Sequence, residues 1–122
     1  MHSVFFAAVL LMTAGTTQAL DLQGHRGARS LLPENTLPAF ARALTIGVTT
    51  LELDTAITRD GVIVVSHDAT LNPDITRGSD GQSLTRSDIA VHSLTFAQLR
   101  QYDVGRIRPG TAYALRFSAA AG

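Results

Sequence analysis

Three stretches decide the fold: residues 20–25 read LDLQGH, residues 49–58 read TTLELDTAIT and residues 62–66 read VIVVS. Each combines alternating or β-branched apolar residues, the pattern of a β-strand, with a polar residue at or near its end. The turn at residues 59–61 (RDG) between the last two is typical of a hairpin connection. The order of these elements predicts an α/β fold.

The segments around these strands predict helices. Residues 37–46 carry apolar side chains at helical spacing, with Asn35 and Thr36 as candidate N-caps. Residues 96–102 predict a second, shorter helix. Residues 117–122 are mostly small and show neither a strand nor a helix pattern.

The first 19 residues are typical of a cleaved signal peptide. Residues 4–12 form an unbroken apolar run, which is much shorter than the ~20 residues of a membrane span. Small residues at Thr17 and Ala19 fit a signal-peptidase site. A buried element of the fold is the alternative reading of this run. We therefore expect residues 1–19 to be removed, leaving a periplasmic or secreted domain over residues 20–122 without a stable membrane anchor.

The composition excludes several functional classes. The 122 residues are 45% hydrophobic and carry a formal net charge of zero, which suits an ordinary soluble domain. A balanced charge gives no electrostatic reason to expect nucleic acid as a partner. The sequence contains no cysteine, which excludes disulfides, thiolate metal sites and a cysteine nucleophile.

Residues suited to phosphoryl chemistry stand at or near the ends of the predicted strands. Glu52 and Asp54 are two apart, so on one strand they would share a face and could hold a hard divalent cation. Arg26 offers a planar fork that matches phosphate oxygens. His25 and His67 could share the proton transfers of a displacement at phosphorus. Together these residues predict metal-assisted hydrolysis of a phosphodiester.

Each of these features alone has a plainer explanation. Glu52 and Asp54 would more often form a solvated strand face, and His67 could be an ordinary strand-end histidine. Glu34, just before the first helix, could simply complement the helix dipole. The combination of all of them in this order is what favours a catalytic site.

The arrangement resembles the glycerophosphodiester phosphodiesterase family. The similar stretches are GHRGARSLLPENTLPAF, LELDTAITRDGVIVVSHDATL, LNPDITR and SLTFAQLRQYDVG, which fall within residues 22–105. The resemblance implies the N-terminal part of a (β/α)8 TIM barrel of the phospholipase-C-like type. It also implies a small-molecule glycerophosphodiester substrate such as glycerophosphocholine, sn-glycerol 3-phosphate and an alcohol as products, and Ca²⁺ or Mg²⁺ as cofactor. Residues 71–77 are similar to the exported bacterial branch of the family.

The resemblance also implies a role for each matching residue. It implies that His25 and His67 are the general acid and base and that Arg26 binds the phosphate. Glu52 and Asp54 become metal ligands by the same comparison. The supporting residues are Glu34 and Asn35, which line the site near the metal or the phosphate, and Asp68, which orients His67.

The chain departs from the family in its length and in its acidic residues. A TIM barrel takes about 200 to 250 residues, and no acidic residue follows Asp103, so the family's third acidic metal ligand is missing from this sequence. We therefore expect an apparently truncated domain. Three alternatives stay open: a catalytically inactive fragment, a phosphate- or polyol-binding module, and a related barrel lyase that forms a cyclic phosphate.

Overall fold

The computed structural model describes residues 20–120, and the predicted signal peptide therefore lies outside the described residues. None of the helices in this range is long and apolar enough to cross a membrane. The strands are β1 Gln23–His25, β2 Thr50–Glu52, β3 Thr55–Ile57, β4 Ile63–Val65, β5 Thr76–Arg77 and β6 Asp103–Val104. The α-helices are α1 Leu37–Ile46, α2 Phe96–Leu99 and α3 Ala112–Arg116, and 3₁₀ turns lie at Val91–Ser93 and Ser118–Ala120.

Strands β1 and β2 form a parallel pair joined through helix α1. The predicted bounds of α1 are confirmed, because Thr36 caps its start through a hydrogen bond from the Ala39 amide and Gly47 ends it in a left-handed conformation. The helix buries Ala39 and Ala43, whose small side chains let it lie close to β1. The pairing register places His25 opposite Glu52 at the ends of the two strands.

The stretch predicted as one strand over residues 49–58 is two strands. β2 ends at Glu52 and β3 begins at Thr55, and β3 pairs antiparallel with β4. The prediction that Glu52 and Asp54 share the face of one continuous strand is therefore wrong, whereas the predicted hairpin connection at residues 59–61 is confirmed. The short turn after β3 explains this pairing, since a parallel partner would need a crossover of a dozen or more residues.

The C-terminal part of the described chain packs around a small apolar cluster. Strands β5 and β6 pair antiparallel, and α2 ends at Leu99, earlier than the predicted residues 96–102. The expectation of no regular structure at the end of the chain is wrong for Ser118–Ala120, which form a 3₁₀ turn directly after α3. Ile75, Ile107, Ala114 and Ala120 form the cluster, with Tyr113 and Phe117 packed against it.

Candidate active site

Arg26 lies at the centre of the candidate site, in the loop that follows β1. Its backbone has a φ of 50°, and Asn35 has a φ of 57°; within residues 20–120 these are the non-glycine residues with positive φ. The Arg26 amide donates a hydrogen bond to Glu52 Oε2 at 2.9 Å, and the Arg26 carbonyl accepts one from the Asn35 amide at 3.0 Å. These bonds hold a backbone conformation that costs a side-chain-bearing residue about 1 to 2 kcal/mol.

Gly27 allows this loop to lie directly on helix α1. Its φ is 84°, and a Cβ atom built there would come within 2.8 Å of the Ala39 carbonyl carbon. Only glycine combines that backbone conformation with so close an approach. The glycine of the His-Arg-Gly motif therefore serves the packing that positions Arg26.

The Arg26 side chain is buried and only partly paired. Its Nη1 donates to Glu34 Oε1 at 2.9 Å, and the side chains of Arg26 and Glu34 are 9% and 2% exposed. Arg26 Nε lies 3.9 Å from Asp54 Oδ2 and has no hydrogen-bond partner among the described residues. A buried guanidinium with an open donor fits a phosphate oxygen, because a buried donor left unpaired is costly.

Glu34 is surrounded by three donor side chains, two from the loop after β1 and one from α3. Besides Arg26, its carboxylate lies 2.6 Å from Arg29 Nε and accepts a hydrogen bond from the Tyr113 hydroxyl. The Arg29 guanidinium in turn stacks 4.4 Å from the centre of the Phe117 ring. Glu34 is therefore engaged behind Arg26, with its oxygens already taken by protein donors, and it does not present a free carboxylate to a metal.

The sequence reasoning did not identify Arg29 and Tyr113. Arg29 carried a weak signal, as a second arginine inside the similar stretch GHRGARSLLPEN. Tyr113 carried none, because nothing in a sequence indicates a contact with a residue 79 positions away.

Glu52 and Asp54 both approach Arg26 although they do not share a strand face. Their side chains are partly exposed, and His25 Nε2 lies 3.8 Å from Glu52 Oε2. Their oxygens are of the kind that Ca²⁺ and Mg²⁺ prefer. Within residues 20–120, however, no group of three or more histidine, cysteine, aspartate or glutamate side chains is arranged to hold a metal ion. The donor set thus fits two of the ligands of a hard cation, and a complete site would need water, substrate or further protein oxygens.

His67 follows β4 and is oriented by its neighbour. Its Nδ1 lies 2.7 Å from Asp68 Oδ1, and Asp68 Oδ2 accepts a hydrogen bond from Asn72 Nδ2 at 3.1 Å. Asn72 Oδ1 accepts from the Asp74 amide, which fixes the orientation of the Asn72 amide. The predicted contact between Asp68 and His67 is present, and it leaves Nε2 of His67 as the nitrogen available for proton transfer.

The structure brings the predicted residues into two groups. Glu34, Asn35, His67 and Asp68 are among the residues that line a cavity of about 640 Å³. In the second group, Glu52 contacts His25 and the Arg26 backbone amide, and Asp54 lies beside the Arg26 guanidinium. Glu34 belongs to both groups through its bond to Arg26. Among the described residues, no hydrogen bond joins His25 directly to His67. The catalytic, phosphate-binding and metal-binding roles of these residues stay predictions.

The fold of the described residues is similar to parts of solved protein structures. A protein from Silicibacter pomeroyi that is described as a glycerophosphoryl diester phosphodiesterase superimposes with a TM-score of 0.80 at 42% identity. The match covers 86% of this chain and 35% of that one. A glycerophosphodiester phosphodiesterase from Agrobacterium tumefaciens gives a TM-score of 0.58 at 30% identity, covering 71% of this chain and 34% of that one. The described residues therefore form an α/β part of the TIM-barrel phosphodiesterase fold, which confirms the predicted fold class.

The chain belongs to the glycerophosphoryl diester phosphodiesterase family, whose sequence profile matches residues 25–118. This confirms the resemblance and extends it past residue 105 to include α3. A glycerophosphodiester phosphodiesterase from Caldanaerobacter subterraneus is 36% identical over 81 residues, which cover 66% of this chain and 29% of that protein. A lysophospholipase D from Rattus norvegicus is 46% identical over 65 residues, covering 53% of this chain and 19% of that protein. The chain thus spans about a fifth to a third of the length of these relatives.

Proposed function

We propose that the protein hydrolyses small glycerophosphodiesters in a metal-dependent reaction, releasing sn-glycerol 3-phosphate and an alcohol. The observation that carries the proposal is the environment of Arg26: its buried guanidinium has an Nε without a hydrogen-bond partner in the described part of the chain and lies beside Asp54, while its backbone amide binds Glu52. Family membership supports the same reaction. A binding module would use the same arginine but would not need the histidines.

Arg26 would bind oxygens of the substrate phosphate. Its charge is offset by Glu34, which is shared between Arg26 and Arg29, and by Asp54 at 3.9 Å. A divalent cation held by Glu52 and Asp54 would offset those two carboxylates and leave positive charge for an anion. Glu52 and Asp54 would hold Ca²⁺ or Mg²⁺, an ion that would polarise a phosphoryl oxygen when bound.

The two histidines would divide the proton transfers. As a water oxygen bonds to phosphorus, one imidazole accepts the proton of the water and the other donates a proton to the departing alkoxide. His67 suits either task, because its Nδ1 is engaged by Asp68 and its Nε2 is left for the substrate. His25 lies beside Glu52, at the edge where the metal would be held.

The test is turnover of glycerophosphocholine by the full-length protein, followed by phosphorus NMR in the presence of Ca²⁺ or Mg²⁺. We expect sn-glycerol 3-phosphate to accumulate, and His25→Ala to abolish turnover with the fold intact. His92→Ala is the matched control, because His92 is exposed on the 3₁₀ turn at Val91–Ser93. Accumulation of a cyclic phosphate would favour a lyase, and phosphate binding without turnover would favour a binding module.

The metal assignment has its own test. Glu52→Gln should raise the metal concentration that gives half-maximal activity, because it replaces a charged oxygen ligand with a neutral one. Asp88→Asn is the control, since Asp88 is exposed and paired locally with Arg86. An unchanged metal titration for Glu52→Gln would remove Glu52 from the ligand set.

We also propose that residues 1–19 direct export and are removed. The apolar run and the small residues before position 20 support this. N-terminal sequencing of protein recovered from the exported fraction should begin at Leu20. A protein that retains Met1 in that fraction would contradict cleavage.

A further inference from the structure

A single buried carboxylate links helix α3 to the candidate phosphate-binding arginine. Glu34 Oε1 accepts a hydrogen bond from Arg26 Nη1 at 2.9 Å, while Glu34 Oε2 accepts one from the hydroxyl of Tyr113. Glu34 is 2% exposed, so water has almost no access to replace either donor. The two oxygens of Glu34 thus connect Arg26 to a tyrosine 79 residues further along the chain.

Tyr113 is suited to remain a donor in this position. Burial, reinforced by the hydrogen bond to Glu34, raises the pKa of Tyr113 to about 12. The hydroxyl therefore keeps its proton at ordinary pH, and it can only donate to the carboxylate. A phenolate at this place would face the negative charge of Glu34 directly.

The aromatic rings at helix α3 and its C-terminal end also contact Arg29, the second arginine beside Glu34. The Arg29 guanidinium lies 4.4 Å from the centre of the Phe117 ring and 5.5 Å from that of Tyr113, in the range of cation–π contacts. The two rings pack against each other with centroids 4.8 Å apart. This packing restricts Tyr113, and through its hydroxyl the rotation of the Glu34 carboxylate.

We propose that Tyr113 is a positioning residue, which fixes the Glu34 carboxylate and through it the plane of the Arg26 guanidinium, so that the guanidinium keeps the orientation in which it would bind the phosphate. This inference rests on the proposed phosphate-binding role of Arg26. Without the tyrosine hydroxyl, Glu34 would keep its charge and its arginine partners but lose the donor that sets its orientation. Charge-assisted hydrogen bonds depend strongly on such geometry.

The test compares Tyr113→Phe with Tyr102→Phe in the full-length protein. The sequence has two tyrosines, and within residues 20–120 the tyrosine hydroxyl that forms a hydrogen bond is that of Tyr113. Tyr102→Phe therefore makes the same chemical change without removing a contact to Glu34. The probe is inorganic phosphate, with affinity measured by calorimetry. The side-chain Nε–H resonance of Arg26 is followed by NMR and assigned by its loss in Arg26→Lys.

We expect Tyr113→Phe to weaken phosphate binding about three- to tenfold, the loss expected for one ordinary hydrogen bond, because its effect on the phosphate is indirect. We also expect it to shift the Arg26 resonance. Tyr102→Phe should leave both unchanged. In a Glu34→Gln background, Tyr113→Phe should add little further loss, because the carboxylate through which it acts is gone. A purely structural role would instead lower the unfolding temperature and add its effect in both backgrounds.

The outcomes separate this inference from the proposed function. An unmoved Arg26 resonance and unchanged phosphate affinity in Tyr113→Phe would overturn the positioning role, even if the enzyme hydrolyses glycerophosphodiesters. A shifted Arg26 resonance in a protein that turns over no glycerophosphodiester would uphold the positioning of Arg26 and refute the hydrolase.

Discussion

Arg26 and Glu34 form a buried ion pair, with 2.9 Å between Nη1 and Oε1 and side-chain exposures of 9% and 2%. Taking two charges out of water costs several kcal/mol per ion, and attraction offsets this only when the remaining donors and acceptors are satisfied. Glu34 is hydrogen-bonded to Arg26 and Tyr113 and in ionic contact with Arg29, whereas the Nε atoms of Arg26 and Arg29 have no hydrogen-bond partner among the described residues. Under the proposed function, Arg26 Nε is the donor that a phosphate oxygen would satisfy.

Replacing Glu34 should destabilise the protein severely. Glu34→Ala would leave Arg26 and Arg29 buried without their shared carboxylate, a loss of about 3 to 5 kcal/mol for a broken buried pair. Asp88→Ala removes an exposed pair with Arg86 and should cost less than about 1 kcal/mol. Urea unfolding measures both, and similar losses for the two variants would contradict a structural role for the buried pair.

Asp68→Asn should reduce turnover at little cost to the fold. Asp68 accepts from His67 Nδ1, and its charge would stabilise the imidazolium that forms when His67 takes up a proton. The neutral amide supplies no such charge, so kcat should fall about tenfold or more. Because Asp68 is partly exposed, the unfolding temperature should stay near that of the wild type. A kcat equal to that of Asp88→Asn would show that Asp68 does not assist His67.

Comparing Gly27→Ala with Gly61→Ala distinguishes the energetic cost of a steric clash from the cost of the backbone conformation. Both glycines have a φ of 84°, but a Cβ at Gly27 would meet backbone atoms of α1 at 2.8 Å, whereas nothing lies within 4 Å of a Cβ at Gly61. Gly61→Ala should therefore cost about 1 to 2 kcal/mol for its backbone alone. Gly27→Ala should cost clearly more and should also displace Arg26. Equal unfolding free energies for the two variants would show that the loop can move off the helix without penalty.

Asp21 should contribute to the loss of stability in acid. Hydrogen bonds from Gln23, Thr50 and Thr49 lower the pKa of Asp21 from 3.8 to about 2. The pKa of Asp21 is lower in the folded state than in the unfolded state. The stabilisation that ionised Asp21 gives to the fold is therefore fully present above pH 3.8 and is lost as the pH falls through about 2. Asp21→Asn should lack this part of the acid dependence, which chemical unfolding at a series of pH values between these limits would show. Parallel curves for the two proteins would contradict the assignment.

Elements whose ends are set by residues adjacent in the sequence were predicted well. Helix α1 begins and ends where its cap Thr36 and its terminator Gly47 indicate, because each acts on the turn beside it. The break between β2 and β3 was missed, since alternation of apolar residues continues through residues 49–58 although the two halves pair with different partners. Helix α3 was missed as well, although Thr111 caps it and Tyr113 and Phe117 stand one turn apart.

The sequence by itself determined strand β1, helix α1, the hairpin of β3 and β4, the order of the chemically suited residues and, through them, the family. Those signals lie within short stretches, where backbone preference and side-chain type act over a few residues. Only the tertiary structure decided that Glu34 lies behind Arg26 against Arg29 and Tyr113. That contact joins residues 79 positions apart, and it exists because the packing of α3 against the apolar cluster places the tyrosine hydroxyl there. Packing between distant segments depends on how all of them fill space together, and no local pattern records it.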